Sequence, residues 1–258
     1  MNMNGFQLDQ LLAAAVFCGA RVSGLMVFCP FLGSAAIPAP IKAALTLLIT
    51  ALLYPRQAPL AMEFGPWQWV GIALSEAVTG LMLGLAANFM MEAALMAGQI
   101  LGMQMGYSLA SLFDPQTQAD TPVLGTFYSL TTLLIFLQMD VHHWLLRAVA
   151  ASFAYLPAGQ SAASFAGVNE LLHAAGGILL AAAEIAAPAL AATLVADLVL
   201  GFLGKASPQL PVLFVGLAVK NLLGLAVMIA VIARWPESFS ARFAASVALG
   251  ERLLHLAH

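Results

Sequence analysis

The stretch GQILGMQMGYSLASLFDPQTQADTP, residues 98–122, joins an apolar segment to a loop with two prolines and two aspartates. Its small and flexible side chains are Gly98, Gly102, Met103, Met105 and Gly106. Small residues four apart let two helix backbones approach closely, which is a main source of helix association in lipid. Methionine is unbranched and fills irregular gaps. The stretch therefore predicts either a close-packing, loosely sealed helix interface or ordinary core filling, followed by a loop.

The composition indicates an integral membrane protein. Hydrophobic residues are 62% of the 258 residues and charged residues only 8%, whereas a soluble domain carries about 25% charged residues. The net charge of −3 is too small and too scattered to indicate nucleic-acid binding. The N-terminus lacks a basic region, so we expect the first apolar run to be retained and not cleaved as a signal peptide. Cys18 and Cys29 lie inside that run and are interpreted as small apolar residues, not as a disulfide or metal site.

Apolar segments predict the helical organisation. A membrane span needs about 20 mostly apolar residues. The candidates are 10–30, 40–55, 68–91, 92–112, 122–139, 142–157, 172–203 and 210–234. Several are short or interrupted by proline, and Pro188 lies inside the longest. Because unpaired backbone groups are not tolerated in lipid, broken helices suit surroundings of protein. We therefore predict an all-α integral membrane protein of helical hairpins, several short or kinked, that packs into a multi-subunit helical pore assembly.

The connections between segments suggest how the chain is divided. The small-residue linker at 156–167 is the candidate boundary between two halves, and ASPQLP at 206–211 is the predicted turn of a C-terminal hairpin. The tail after Trp235 is predicted to form an amphipathic helix. Arginines near this end are Arg234, Arg242 and Arg252. They favour a cytoplasmic C-terminus.

Six ionisable residues within the apolar runs are Arg21, Glu76, Glu92, Glu184, Asp197 and Lys220. Each costs about 2.5–3.5 kcal/mol at a helix centre, so each is expected to face protein or water. One interpretation is an ion or proton path. The other, which we favour because both signs are present, is pairing that locks helices together. Glu92, Asp197 and Lys220 are predicted buried charges. Lys220 is predicted to pair with an acidic group of its own chain or of a neighbouring subunit. Its own hairpin offers Asp197, with Glu184 further back; Lys220 and Asp197 lie about 12 and 11 residues from the turn and so reach similar heights.

Catalytic and metal-site motifs have only weak matches in this sequence. GYSLA at 106–110 loosely resembles the elbow that exposes a nucleophilic serine, but Ser108 would need a histidine base at similar depth. The histidines near predicted helix starts are His142, His143 and His173. Glu170 and His173 have the spacing of a di-iron ligand pair, which requires a second such pair and two further glutamates. We therefore predict no enzyme and no catalytic, cofactor-binding or metal-binding residue.

Short motifs follow one another in a fixed order along the chain. They are Gln104 and Gly106, Asp114-Pro115, PVLG at 122–125, His142 before Trp144, LPAG at 156–159, then Pro188, Gly201, Pro208-Gln209 and Lys220. In order and spacing they resemble the FliR family, called SctT in virulence secretion systems, over almost the whole chain, and the flagellar branch is favoured. The chain departs from the family pattern at Asp140 and Val141, where the family has Asn-Gly, and at Asp197, where asparagine is expected.

The resemblance implies a structural subunit of the export gate of the flagellar type III secretion apparatus, in the bacterial inner membrane within the flagellar basal body. Its partners would be FliP-like and FliQ-like subunits, FlhA-like and FlhB-like export components, membrane lipid and unfolded protein substrates, with no nucleic acid. Within a single membrane domain, 1–258, residues 1–160 would be a FliP-like part, 168–235 a FliQ-like hairpin and 236–258 an amphipathic tail.

In this family the loop after the glycine helix projects into the pore as part of a plug, beside a methionine gasket. The resemblance therefore implies a plug formed by Phe113, Asp114, Pro115, Gln116, Thr117, Gln118, Ala119, Asp120 and Thr121. Helix-packing and gasket roles fall to Gly98, Gly102, Met103, Met105 and Gly106. The alternative is a secondary transporter or ion channel that uses the intramembrane carboxylates. The inverted repeat common in transporters is not evident in this sequence.

Overall fold

The regular elements of the described chain are all α-helices. The computed structural model describes residues 3–34, 36–54, 65–107, 123–159, 165–207, 209 and 211–256. The helices are α1 (Met3–Phe28), α2 (Ala39–Leu53), α3 (Pro66–Gln104), α4 (Val123–Gln138), α5 (Val141–Tyr155), α6 (Phe165–Ala206), α7 (Val212–Ile232) and α8 (Trp235–Leu256). No strand occurs in these ranges, and the predicted all-α class is confirmed.

Four described helices are long and apolar enough to cross a membrane. Their candidate windows are Leu11–Phe28, Trp67–Gln104, Asn169–Ala206 and Phe214–Ile232. The α4 and α5 helices pass the same test only together, as a bent pair, which would raise the total to five in the described part of the chain. With 15 residues, α2 is shorter than a span. The integral membrane class is therefore confirmed.

Two helix boundaries differ from the sequence-based expectation. The segments predicted at 68–91 and 92–112 are joined in one helix, α3, of 39 residues that ends at Gln104, and residues 108–112 lie outside the described chain. It is continuous because the junction, MMEAAL, consists of strong helix formers. Pro188 does not interrupt α6, which is unbroken over 42 residues. A proline removes one backbone donor, a loss that long membrane helices tolerate where neighbours or local adjustments compensate.

The chain forms two compact units that alternate along the sequence. The first contains Met1–Met90, Phe136–Gly176 and Arg242–His258, and the second contains Met91–Ile135 and Gly177–Ala241. Helices α3, α4, α6 and α8 each contribute to both units. The likeness of the two sequence halves to FliP and FliQ stays a prediction.

The first unit is held by a close crossing of α1 and α3. A Cβ placed on Gly24 would overlap the carbonyl of Ala77, and one on Gly80 would overlap the carbonyl of Arg21. A Cβ on Gly84 would lie 2.8 Å from the carbonyl oxygen of Leu25. The backbones therefore touch where only glycine fits, which is the small-residue packing expected of membrane helices.

The α8 helix is amphipathic, as predicted for the tail. Its buried positions are Trp235, Phe239, Phe243, Val247, Gly250 and Leu253. They recur every third or fourth residue and so share one face. The Phe243 ring lies 5.5 Å from the Phe136 ring in the first unit, and the Trp235 ring lies 4.7 Å from the Tyr128 ring in the second. The tail is thus part of the packed structure.

Both cysteines are buried free thiols in α1 or directly after it. Cys18 is fully buried and Cys29 is 2% exposed. Burial raises the pKa of the Cys29 thiol to about 12. The thiol therefore stays protonated at neutral pH and behaves as a small apolar side chain.

Candidate functional site

The predicted plug loop, 113–121, and Ser108 lie outside the described residues, but the helix that leads to them ends in a clear cap. Gly106 has a φ of 85°, in the left-handed region that favours glycine. The N–H of Tyr107 donates to the Gly102 carbonyl at 2.9 Å, and the N–H of Gly106 donates to the Met103 carbonyl at 3.1 Å. This pattern is a Schellman cap. Gly106 therefore ends α3 and does not continue its glycine ridge.

The two remaining ridge glycines differ in their surroundings. A Cβ on Gly98 would lie 2.5 Å from the Cα of Gly125 and from the carbonyl oxygen of Leu124. Gly98 is thus the point where α3 and α4 cross most closely, and Gly125 belongs to the PVLG motif. A Cβ on Gly102 would meet nothing within 4 Å. The described part of the chain leaves the Gly102 side of the helix open.

The two methionines of the stretch also separate. Met105 is 2% exposed, and a Cβ on Gly224 would lie 2.7 Å from its Cε. Met105 therefore fills a space that a glycine of α7 provides. Met103 is 63% exposed. Of the pair, Met103 is the side chain that this chain presents outward.

A polar cluster anchors the end of α3 to the α6–α7 hairpin. Lys220 Nζ lies 2.6 Å from Asp197 Oδ1 and donates to the Gln104 carbonyl at 3.2 Å. Gln104 Nε2 donates to Asp197 Oδ2 at 2.8 Å. The lysine also places positive charge at the C-terminus of α3, where the helix dipole favours it. Asp197 thus contacts both Lys220 and Gln104, the last residue of α3. The predicted contact between Lys220 and Asp197 is present.

An open cavity of about 400 Å³ lies beside this cluster. It is lined by Asp197, Leu200, Gly201, Gly204, Gly216, Leu217 and Lys220. The hairpin around it is sparsely covered: only 22% of its α6 window and 17% of its α7 window are buried, against 50% for α1. Because these helices are strongly apolar, their exposed faces require lipid or further protein.

A second polar cluster lies at the centre of the first unit. Arg21 Nε donates to Glu76 Oε2 at 2.7 Å, and both side chains are fully buried. Arg21 Nη1 donates to Ser152 Oγ at 2.8 Å, and Glu76 Oε1 accepts from the Gly159 N–H at 2.8 Å. The guanidinium also lies 4.1 Å from the centre of the Phe153 ring. For Arg21 and Glu76, the contacts agree with the interpretation that intramembrane charges pair between helices.

The remaining site predictions are only partly explained by the structure. Glu92 and Glu184 are exposed on the chain, which differs from the expectation of burial for Glu92.

Ser152 and Gly159 were not predicted from the sequence as partners of the buried Arg21–Glu76 pair. Gly159 is the last residue of the LPAG motif, and this position was the sequence signal that could have identified it. Its φ of 88° lies in the left-handed region, where any residue other than glycine is strained.

Long apolar helices, two of them joined by a buried ion pair and two by a half-buried one, define an integral membrane protein. The chain belongs to the FliR/SctT family of bacterial export proteins, and the family described as "Bacterial export proteins, family 1" matches residues 12–246. The family predicted from the sequence is confirmed. Membership makes the chain a subunit of a bacterial type III protein export apparatus.

The chain is similar to relatives from both branches of the family. It is 31% identical over 204 residues to the flagellar biosynthetic protein FliR of Bacillus subtilis, covering 78% of each chain. It is 29% identical over 214 residues to FliR of Escherichia coli, covering 81% of this chain and 80% of that one. It is 26% identical over 225 residues to the surface presentation of antigens protein SpaR of Salmonella typhimurium, covering 87% and 84%.

Proposed function

We propose that this chain is a non-enzymatic pore and gate subunit of the type III export apparatus. It forms, with FliP-like and FliQ-like subunits and next to FlhA-like and FlhB-like components, the channel through which unfolded flagellar proteins leave the cell. The assembly lies in the inner membrane within the flagellar basal body. Flagellar cargo is favoured because the relatives with the higher identities are named flagellar biosynthetic proteins.

The observation that carries this proposal is the α6–α7 hairpin. It is the least covered part of the described spans, yet it holds a polar cluster and a cavity on its surface. The Asp197 side chain of the ion pair is 40% exposed. In a lone chain in lipid this charge would be exposed to hydrocarbon, which is costly. A neighbouring subunit, or a wet path between subunits, removes that cost.

The same contacts argue against the transporter or ion-channel alternative. Transport through carboxylates needs groups that can bind and release an ion, and these line a water-filled or central site. Glu76 is fully buried, and its two oxygens contact Arg21 and the Gly159 N–H. The two oxygens of Asp197 contact Lys220 and Gln104. These two carboxylates therefore join helices to one another.

The cap of α3 supports the assignment of the loop as a plug. The cluster of Gln104, Asp197 and Lys220 and the Schellman cap at Gly106 hold the last turn of the helix. A loop that obstructs a pore must start from a rigidly held residue, because a mobile attachment point would let the loop move out of the pore. We propose that residues 113–121 form this plug.

The test is deletion of residues 115–119 in the assembled complex. Complex yield with the FliP-like and FliQ-like partners should stay unchanged, while vesicles carrying the closed complex should leak ions or small solutes. A matched variant replaces the same five residues with a glycine-serine sequence of equal length, which keeps the bulk of the loop and should leak less. Normal assembly with no leak from the deletion would exclude the plug role.

A further inference from the structure

The break between α4 and α5 brings three potential metal ligands together. Asp140, His142 and His143 each offer one ligand atom, and these atoms all lie within 4.8 Å of one another. His143 Nδ1 lies 3.2 Å from Asp140 Oδ1, and His142 Nε2 lies 3.9 Å from the same oxygen. The two imidazole rings are 4.1 Å apart between centres. This cluster was not predicted as a metal site from the sequence.

The backbone conformation of Asp140 directs its carboxylate toward the two histidines. Asp140 is the N-cap of α5 but makes no side-chain capping hydrogen bond, although capping is the usual role of aspartate at this position. Its φ of 56° lies in the left-handed region, which asparagine and aspartate tolerate better than other non-glycine residues. In this conformation the carboxylate faces the two imidazoles instead of the backbone of its helix.

One ring nitrogen of each histidine faces the aspartate. His142 Nδ1 is buried without a hydrogen-bond partner in the described ranges, and Nε2 is the nitrogen that faces Asp140. His143 directs Nδ1 to the same carboxylate oxygen. Each ring thus points one nitrogen at a common location beside Asp140. Two imidazoles and one carboxylate are a donor set that Zn²⁺ and similar ions accept.

We propose that Asp140, His142 and His143 bind a divalent transition-metal ion such as Zn²⁺, with water completing the coordination. Zinc bonds of about 2.0–2.2 Å put neighbouring tetrahedral ligands about 3.3 Å apart, close to the 3.2 Å and 3.9 Å separations here. The side chains of Asp140 and His143 are 66% and 57% exposed, so solvent can deliver the ion and small rotations can close the remaining gap. The bound ion would fix the turn between α4 and α5.

The test measures Zn²⁺ binding to the full chain, purified in detergent after removal of any histidine tag, by competition with a chromogenic zinc indicator. We expect about one Zn²⁺ per chain. Asp140→Asn keeps a residue suited to the left-handed backbone but removes the charged ligand, and His143→Gln removes an imidazole. Each should weaken binding by about 10-fold or more. His173→Gln, an exposed histidine of α6, is the matched control and should bind like the original chain.

A second measurement does not depend on the variants folding. In air, ascorbate reduces bound Cu²⁺ to Cu⁺, which reduces O₂ to reactive oxygen species that oxidise the histidines at the metal. Peptide mass spectrometry locates the oxidation. Oxidation concentrated on His142 and His143 supports the site. Equal zinc affinity in Asp140→Asn and the unaltered chain, or oxidation no greater at these two histidines than at His173, would overturn it.

Discussion

Lys220 Nζ lies 2.6 Å from Asp197 Oδ1 and joins the two helices of the α6–α7 hairpin at similar distances from their turn. Lys220 also reaches the carbonyl of Gln104, the last residue of α3. One lysine therefore ties together three helices directly before the predicted plug. Asp197 supplies the negative charge that the lysine needs.

Replacing Lys220 should weaken the assembly. Lys220→Met leaves Asp197 charged without its cation, so the yield of complex with partner subunits should fall. Breaking a fully buried pair costs about 3–5 kcal/mol, and we expect a smaller loss here because the Asp197 side chain is 40% exposed on this chain. Adding Asp197→Asn should restore part of the yield. If the double variant is no better than Lys220→Met alone, the two residues are not energetic partners. Full assembly of Lys220→Met with loss of export would instead show that the charge acts in transport.

The Arg21–Glu76 pair should be far more sensitive, since both side chains are fully buried. Arg21→Met leaves a buried carboxylate unpaired, at a cost of about 3–5 kcal/mol. The recovery of folded chain by size-exclusion chromatography in detergent should drop sharply. The double variant Arg21→Met, Glu76→Gln should recover much of it, because neither side chain then carries a charge. Ser23→Ala, on an exposed position of α1, is the control and should be silent. Additive losses in the double variant would contradict the pairing.

The two ridge glycines should respond differently to alanine. Gly98→Ala would push a methyl group into the backbone of α4 at Gly125, with an expected loss of about 1–3 kcal/mol. Gly102→Ala meets open space and should leave the chain as stable as before. Thermal unfolding in detergent separates these outcomes. Equal melting temperatures for the two variants would mean that the close crossing at Gly98 is not rigid.

Gly102 then provides a test of the partner interface. A leucine at this position adds bulk to a side of α3 that the described chain leaves open. If a partner helix packs there, Gly102→Leu should fold normally alone but fail to join FliP-like and FliQ-like subunits. Met103→Ala, on an exposed neighbouring position, serves as a milder comparison. Normal assembly and export by Gly102→Leu would show that this side of the ridge is not an interface.

The class of protein and its family could be predicted from the sequence. Hydrophobic content decides the solvent in which a chain folds, so 62% apolar residues were enough to predict membrane helices. The order of short motifs was enough to identify the FliR/SctT family. The pairing of Lys220 with Asp197 could also be predicted, because two helices joined by a short turn bring residues at equal distances from it to equal heights.

Other relationships depend on contacts between residues far apart in sequence, and only the tertiary structure decided them. Arg21 and Glu76 are 55 residues apart, and nothing local to either indicates the other. Gly98 and Gly102 lie at the same four-residue spacing. Within the described residues, however, only Gly98 contacts a second backbone, because a helix crossing is short and brings one turn into close contact. Asp140 lies beside two histidines because its backbone is left-handed, a choice that aspartate permits but does not require.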